Sequence, residues 1–97
     1  MKISKELYEA VYNKSLKDLG LDSSDLKNID FNAFFFKCKV WAVANNRELY
    51  SSSSGHCYIS NLNRNNPSNT IDHYAETEVE ATIKACEYIL KEINGNK

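Results

Sequence analysis

The stretch ETEVEATIKACEYIL, from Glu76 to Leu90, decides the fold because it encodes the start, the buried face and the charge of one long helix. Thr77 and Glu80 have the spacing of a capping box, in which each side chain accepts a hydrogen bond from a backbone amide of the first turn. Carboxylates in that turn also favour the positive end of the helix dipole. A stripe at helical spacing then runs up to Gly95, which can close a helix in a left-handed conformation; it consists of Val79, Thr82, Ile83, Cys86, Ile89, Leu90 and Ile93. These features predict a helix over residues 78–93 with one face buried.

Two more helices are predicted upstream. Ser4 is a suitable N-cap for a helix over residues 5–19, and Gly20 occupies the position where a Schellman ending places glycine. Asp30 is a suitable N-cap for a second helix over residues 31–45, which is apolar on two sides. One stripe contains Phe31, Phe34, Phe35, Cys38, Trp41 and Ala42, and the other contains Phe36, Val40, Val43 and Ala44. We expect this helix to be the central element, covered by a sheet on one side and by another helix on the other.

From Arg47 onward the apolar period changes from that of a helix to that of a strand. Three short strands are predicted over residues 47–51, 56–62 and 70–75, separated by a Ser-Gly turn and by a polar stretch around Pro67. Adjacent strands with short connections form antiparallel sheet. The sequence therefore predicts one α+β domain over residues 1–97. Its order is helix, helix, three-stranded antiparallel sheet, helix, with the helices on one face of the sheet.

Composition limits the classes of function. The chain has 97 residues, of which 42% are hydrophobic, and its formal net charge is -1 with the basic residues spread along the sequence. No basic stripe is present to attract nucleic acid, and no apolar run approaches the ~20 residues of a membrane span. The charged N-terminal stretch lacks the apolar segment of a signal peptide, so we expect a cytoplasmic protein without membrane contact. The odd number of widely spaced cysteines favours reduced core thiols at Cys38, Cys57 and Cys86.

The sequence contains no motif of a known catalytic or nucleotide-binding centre, such as GxSxG, a P-loop or HExxH. The one set with catalytic residue types is His56, Cys57 and His73, on neighbouring predicted strands. Alternation with Ile59 places Cys57 on the core side, and a Cys–His pair needs contact and an activated thiolate before it can act. We therefore expect no enzyme activity, no cofactor and no metal site.

Aromatic side chains provide the first candidate contact surface. If Cys57 and Ile59 face the helices, Tyr58 points to the open face of the sheet, and alternation can place Tyr50 and Tyr74 beside it. The simplest interpretation is cross-strand pairing that stabilises a small sheet. The functional interpretations are a stacking platform for bases and an adhesive surface for a protein, and the near-neutral charge favours the protein.

Carboxylates provide the second candidate surface. Glu48, Asp72, Glu76, Glu78 and Glu80 can converge around the third strand and the start of the last helix. Capping and solubility explain acidic residues at a helix start without any partner. The functional interpretation is an acidic patch for the basic surface of a partner protein.

Two stretches, KCKVWA (residues 37–42) and ETEVEATIKACEYIL, resemble a pattern in small hypothetical proteins of phages and prophages. In that pattern a KCKxWA-type helix precedes a few strands and a closing AETExEAxxKACEWI-type helix. Tyr88 replaces the usual tryptophan, and the resemblance covers about residues 34–90. The resemblance implies an accessory protein of a phage or prophage, present in a bacterial host, and it implies no particular activity.

From the second predicted helix onward, the order helix, three strands, helix resembles a double-stranded RNA-binding domain, including Ala75 just before the last helix and Ala81 early in it. That fold places a cluster of lysines at the start of the last helix, where they contact phosphates. This sequence instead has Glu76, Glu78 and Glu80 there, which would repel a phosphate backbone. The resemblance therefore implies the fold, and the charges argue against the RNA-binding function.

The function we expect is that of a non-enzymatic modulator or inhibitor that binds a host protein or a component of host defence. The alternative is a nucleic-acid-binding module that uses the tyrosines or the scattered cations Lys37, Lys39, Arg47 and Arg64. A third interpretation is a homodimer formed through the open sheet or through the edge of the third strand.

Overall fold

A computed structural model describes residues 2–61 and 71–95 of the chain. The elements are α1 (Lys5–Tyr12), a 3₁₀ turn (Ser23–Lys27), α2 (Phe31–Ala44), β1 (Arg47–Ser52), β2 (His56–Asn61), β3 (Ile71–Tyr74) and α3 (Glu78–Gly95). The strands form an antiparallel sheet in the order β1-β2-β3. The predicted α+β class and the order of helices and strands are confirmed. The predicted strand ends at residues 62 and 70 lie outside the described residues.

The first helix is shorter than the predicted range of 5–19. Ser4 caps it as expected, because its hydroxyl accepts a hydrogen bond from the Leu7 amide at 3.0 Å. The helix nevertheless ends at Tyr12, since Asn13 adopts the left-handed conformation with φ 54° and its amide turns back to the last helical carbonyls. Asparagine tolerates this conformation better than most residues, so the chain can stop here without glycine.

The Schellman ending predicted at Gly20 is present, but it closes a separate turn. The Leu21 amide donates to the Leu16 carbonyl at 2.9 Å and the Gly20 amide donates to the Lys17 carbonyl at 3.0 Å. Gly20 has φ +74°, as this motif requires. The prediction of the stop signal was right, and the prediction of one continuous helix before it was wrong.

The last helix begins where the sequence predicts. Thr77 stands just before α3, and its hydroxyl accepts a hydrogen bond from the Glu80 amide at 3.1 Å. Glu87, near the middle of α3, holds α1 in place. Its carboxylate accepts hydrogen bonds from both the amide and the hydroxyl of Ser4, at 2.9 and 2.7 Å. The same carboxylate therefore satisfies the N-cap residue of α1 and joins the two helices.

The helices cover one face of the sheet, and the core lies between the two layers. Leu49, Cys57 and Ile59 supply the sheet side of this core, while Phe34 of α2 stacks on Tyr8 of α1 with ring centroids 5.2 Å apart. The three cysteines are free thiols buried in the described structure. Alternation along each strand places the other side chains on the opposite face of the sheet, which none of the described helices covers.

The prediction that α2 is covered on both sides was wrong. Its first stripe is buried through Phe34, Cys38 and Ala42, but Phe36, Val40 and Val43 are 68%, 70% and 50% exposed. The reason is the short α1, which packs beside Phe34 and does not extend over the outer side of α2.

Candidate functional site

The open face of the sheet carries the predicted tyrosines. In the register of the strands Tyr50 lies opposite Tyr58, and Tyr58 lies opposite Asp72 on the next strand. His56 pairs in the same way with Tyr74. Because side chains alternate, these five residues share the face that the helices do not cover. The structure therefore brings Tyr50, Tyr58 and Tyr74 together as the sequence predicts.

The rings form one continuous row across all three strands. Tyr50 and Tyr58 are stacked with centroids 4.9 Å apart and an interplanar angle of 17°. His56 and Tyr74 are stacked at 4.6 Å and 13°, and His56 lies 5.9 Å from Tyr58. We call Tyr50, Tyr58, His56 and Tyr74 the aromatic row. The row remains open to solvent, since Tyr74 is 65% exposed and Tyr50 is 44% exposed.

His56 is the member of the row that sequence reasoning missed. Its position next to a strand end suggested an ordinary solvated imidazole. The available signal was its spacing of two residues from Tyr58, which puts both side chains on the same face of β2. A ring between Tyr58 and Tyr74 is what makes the row continuous.

Two carboxylates border the row, one on each outer strand. Asp72 of β3 lies 2.8 Å from the Nε2 atom of His56, and Glu48 of β1 accepts a hydrogen bond from the Tyr50 hydroxyl. That hydrogen bond raises the pKa of Tyr50 above its ordinary value. The face thus consists of aromatic rings in the middle and negative charge at the edges. Among the described residues of the three strands, no lysine or arginine alternates onto this face.

The predicted acidic patch does not form as one group. Glu78 points to the helix side of the sheet, where its carboxylate accepts a hydrogen bond from the Ser51 hydroxyl at 2.6 Å. Ser51 and Tyr50 are neighbours in β1 and therefore face opposite sides, so Glu78 is separated from Asp72 by the sheet. Glu76 is exposed in the link between β3 and α3, and Glu80 belongs to the first turn of α3. Only Asp72 and Glu48 of the five predicted carboxylates lie on the aromatic face.

The structure separates the residues with catalytic potential, because Cys57 and His73 lie on the covered side of the sheet and His56 lies on the open side. Cys57 faces His73 in the register of β2 and β3. Burial raises the pKa of the Cys57 thiol, while burial and the nearby Lys84 lower the pKa of His73. At neutral pH the pair is therefore a thiol and a neutral imidazole, whereas a nucleophilic cysteine needs a thiolate. His56 is on the other face and takes no part in this pair.

The described residues also show no cluster of three or more histidine, cysteine or acidic side chains that could hold a metal ion. Within residues 2–61 and 71–95 no helix has the length and apolar content needed to cross a bilayer.

Comparisons with protein-family models, curated proteins and solved structures found no match. The geometry and charge of the chain's own surface are therefore what indicate its function. In that geometry the aromatic row with its two carboxylates is one group of described side chains that burial and capping do not explain.

Proposed function

We propose that this chain is a non-enzymatic protein-binding domain and that the open face of the sheet is its contact surface. The observation that carries the proposal is the row of two stacked ring pairs, Tyr50–Tyr58 and His56–Tyr74, which meet in a tilted contact between Tyr58 and His56 and remain accessible. Aromatic side chains are enriched in the centres of protein interfaces because they bury much area with little loss of side-chain entropy. A row of four rings gives such a centre without any rearrangement of the backbone.

Stabilisation of the sheet accounts for part of this arrangement. Tyr50 and Tyr58 form a direct cross-strand pair, and pairs of this kind contribute ~0.2–1 kcal/mol to a sheet. Tyr74 likewise pairs with His56 across the strands, but it lies on the outer strand and keeps 65% of its surface in water. A hydrophobic ring in that position adds little to folding, and contact with a partner would remove its remaining surface from water.

The charges define the chemistry of the partner. Glu48 and Asp72 border the rings on both outer strands, so the complementary surface has an apolar centre and basic edges. The resemblance of KCKVWA and the α3 sequence to small phage and prophage proteins supports a bacterial host factor as this partner. Modulation or inhibition of that factor, including a component of host defence, is the role we propose.

Binding of nucleic acid is the second candidate function, because stacked aromatic rings accept bases of any sequence. The position of the cations argues against it. Arg47 is paired with Glu92 at 2.6 Å on the helix side, and Lys37 and Lys39 belong to α2, on the other side of the sheet from the row. The carboxylates beside the rings would repel phosphates. Arg64 lies outside the described residues.

Affinity capture with matched variants tests the proposal. The wild-type chain, a Tyr50→Thr/Tyr74→Thr variant and a Tyr88→Gln variant serve as baits in bacterial lysate. Threonine keeps the strand propensity, and Tyr88 is a partly exposed tyrosine of α3 that lies away from the row. We expect a protein that the wild type and Tyr88→Gln retain and the double variant loses.

A parallel titration addresses the second candidate. Fluorescence anisotropy with single-stranded DNA, single-stranded RNA and duplex RNA at low salt should show no binding by the wild type. Binding that disappears in the Tyr50→Thr/Tyr74→Thr variant would replace the protein-binding proposal with the nucleic-acid one. Equal recovery of the same proteins by all three baits would remove the sheet face from the argument.

A further inference from the structure

The outer side of α2 presents an apolar line to solvent. Phe36, Val40 and Val43 follow one another at spacings of four and three residues, which places them along a single line of the helix. All three are at least half exposed. At 1.5 Å per residue the line is about 10 Å long. We call these three residues the α2 stripe.

Positive charge borders the α2 stripe on both sides. At 100° per residue Lys39 falls on one side of the stripe and Lys37 on the other. The Nζ atom of Lys39 lies 4.8 Å from the centre of the Phe35 ring, which holds this charge close to the helix surface. The sequence of α2 contains no acidic residue that could neutralise either lysine within the helix.

The α2 stripe and the aromatic row are complementary in charge and of similar extent. The row crosses three strands, and two strand spacings of ~4.8 Å give a width of about 10 Å across the sheet, of the same order as the length of the stripe. The row has Asp72 and Glu48 at its edges, where the stripe has Lys37 and Lys39. Aromatic and aliphatic surface would meet in the centre, with opposite charges around it.

One chain cannot make this contact with itself. The aromatic row lies on the open face of the sheet, and α2 packs on the opposite face, with the stripe on the side of α2 that points away from the core. A symmetric contact between two α2 helices is also disfavoured, because it would bring lysines together with no carboxylate in either helix. The sheet face, with Asp72 and Glu48 beside its rings, supplies the carboxylates that a second α2 helix lacks.

We propose that the α2 stripe of one copy docks on the aromatic row of a second copy. This inference rests on the proposed function of the sheet face as a protein-binding surface, and it names a second copy of the chain as one ligand of that surface. The two contacting patches are different, so the association is head-to-tail. Each added copy leaves one free stripe and one free row, which produces a ring or an open chain of copies.

Sedimentation velocity on the full chain tests the proposal through complementation. A Phe36→Gln/Val40→Gln variant removes the stripe and keeps the row, and the Tyr50→Thr/Tyr74→Thr variant removes the row and keeps the stripe. The substituted side chains are largely exposed, and circular dichroism verifies that both variants fold. Tyr88→Gln is the control that changes neither patch.

The expected result has four parts. The average mass of the wild type and of Tyr88→Gln rises above the monomer mass of 11.1 kDa as the concentration increases. The useful range is ~10 µM to ~1 mM, because a patch this small forms a weak interface. Each double variant alone remains a monomer. An equimolar mixture of the two variants forms a 1:1 complex, in which the intact row of one variant binds the intact stripe of the other. This complex has no free intact patch left, so it does not grow further. Raising the salt concentration from ~50 to ~500 mM weakens the association.

Three results would overturn the proposal. The wild type stays monomeric over the whole concentration range, or either double variant still associates by itself, or the mixture of the two variants fails to form the complex. A double variant that associates alone would indicate a symmetric contact between identical patches. The proposed function is judged separately, because loss of a captured protein in the Tyr50→Thr/Tyr74→Thr bait can occur with a monomeric wild type.

Discussion

Replacement of Gly55 by alanine tests how the turn between β1 and β2 packs against the link between β3 and α3. Gly55 lies in the turn between β1 and β2 with φ +88°, a conformation that side chains rarely adopt. A Cβ atom at this position would lie 2.1 Å from the carbonyl oxygen of Ala75. The carbonyl of Gly55 also accepts a hydrogen bond from the Ala75 amide at 2.8 Å. The glycine therefore holds the β1–β2 turn against the link between β3 and α3.

Two terms contribute to the expected loss of stability. The left-handed conformation costs a residue with a Cβ atom ~1–2 kcal/mol. The contact with Ala75 must lengthen by more than ~1 Å, because carbon and oxygen atoms reach optimal separation only near ~3.5 Å. The obstructing atom belongs to the backbone, so the whole segment must shift, and the hydrogen bond between Ala75 and Gly55 is lost for another ~0.5–1.5 kcal/mol. We expect Gly55→Ala to lower the free energy of unfolding by the sum of these terms, ~1.5–3.5 kcal/mol.

Gly20 supplies the matched control. It has φ +74°, nearly the same conformation, but an added Cβ atom would find nothing within 4 Å. Gly20→Ala should therefore cost only the conformational term of ~1–2 kcal/mol. Urea unfolding followed by circular dichroism measures both variants against the wild type, with the slope checked for constancy. Equal losses for the two variants within ~0.5 kcal/mol would refute the reasoning, since that is the precision expected for independent substitutions.

Three further predictions concern buried and partly buried groups. Burial and the nearby Lys84 lower the pKa of His73, so His73 binds a proton more readily in the unfolded chain than in the folded one. The contribution of neutral His73 to stability is therefore complete above pH 6.5 and is lost as the pH falls below that value. Between pH 7.5 and 5 the free energy of unfolding in urea should therefore fall less for His73→Gln than for the wild type. Parallel curves of unfolding free energy against pH for the two proteins would contradict this. Burial raises the pKa of Cys57, and the contact with Cys38 together with burial raises the pKa of Cys86. Iodoacetamide at pH 8 should therefore label the native chain slowly. In the urea-unfolded chain, mass spectrometry should show labelling at all three cysteines. Fast labelling of the native chain would show that the thiols are accessible. Glu78→Ala removes the acceptor of a hydrogen bond from β1 and should cost ~1–2 kcal/mol in urea unfolding, whereas Glu76→Ala at an exposed position should change stability by less than ~0.5 kcal/mol. Equal effects at the two positions would mean that the bond to β1 contributes nothing.

Local signals of the sequence were sufficient for much of the fold. Thr77 and Glu80 located the start of α3 because capping depends on atoms only three residues apart. Gly20 located a Schellman ending for the same reason. The length of α1 was not predictable in this way, since Asn13 is compatible both with a helix and with the left-handed conformation that ends it. Packing of α1 against α2 and α3 selects between the two.

In the candidate site too, local sequence patterns predicted some side-chain positions, and contacts between residues distant in sequence determined the others. Strand alternation from Cys57 and Ile59 placed Tyr58 on the open face, and the register then brought Tyr50 and Tyr74 to the same side. The direction of Glu78 depends on Ser51, which is far away in sequence, so residue spacing could not show that this carboxylate turns inward. The acidic residues near the start of α3 therefore looked like one patch in sequence although the sheet divides them.

Burial explains one side of α2 and leaves the other without a role in the monomer. Phe34, Cys38 and Ala42 are fully buried and supply the hydrophobic free energy that holds α2 on the sheet. Phe36 and Val40 keep about two thirds of their surface in water, so they add little to that free energy. The aromatic row has the same property on the opposite side of the molecule, where Tyr74 is mostly exposed. None of the described elements covers either surface, and the lysines beside one surface and the carboxylates beside the other favour a contact between them.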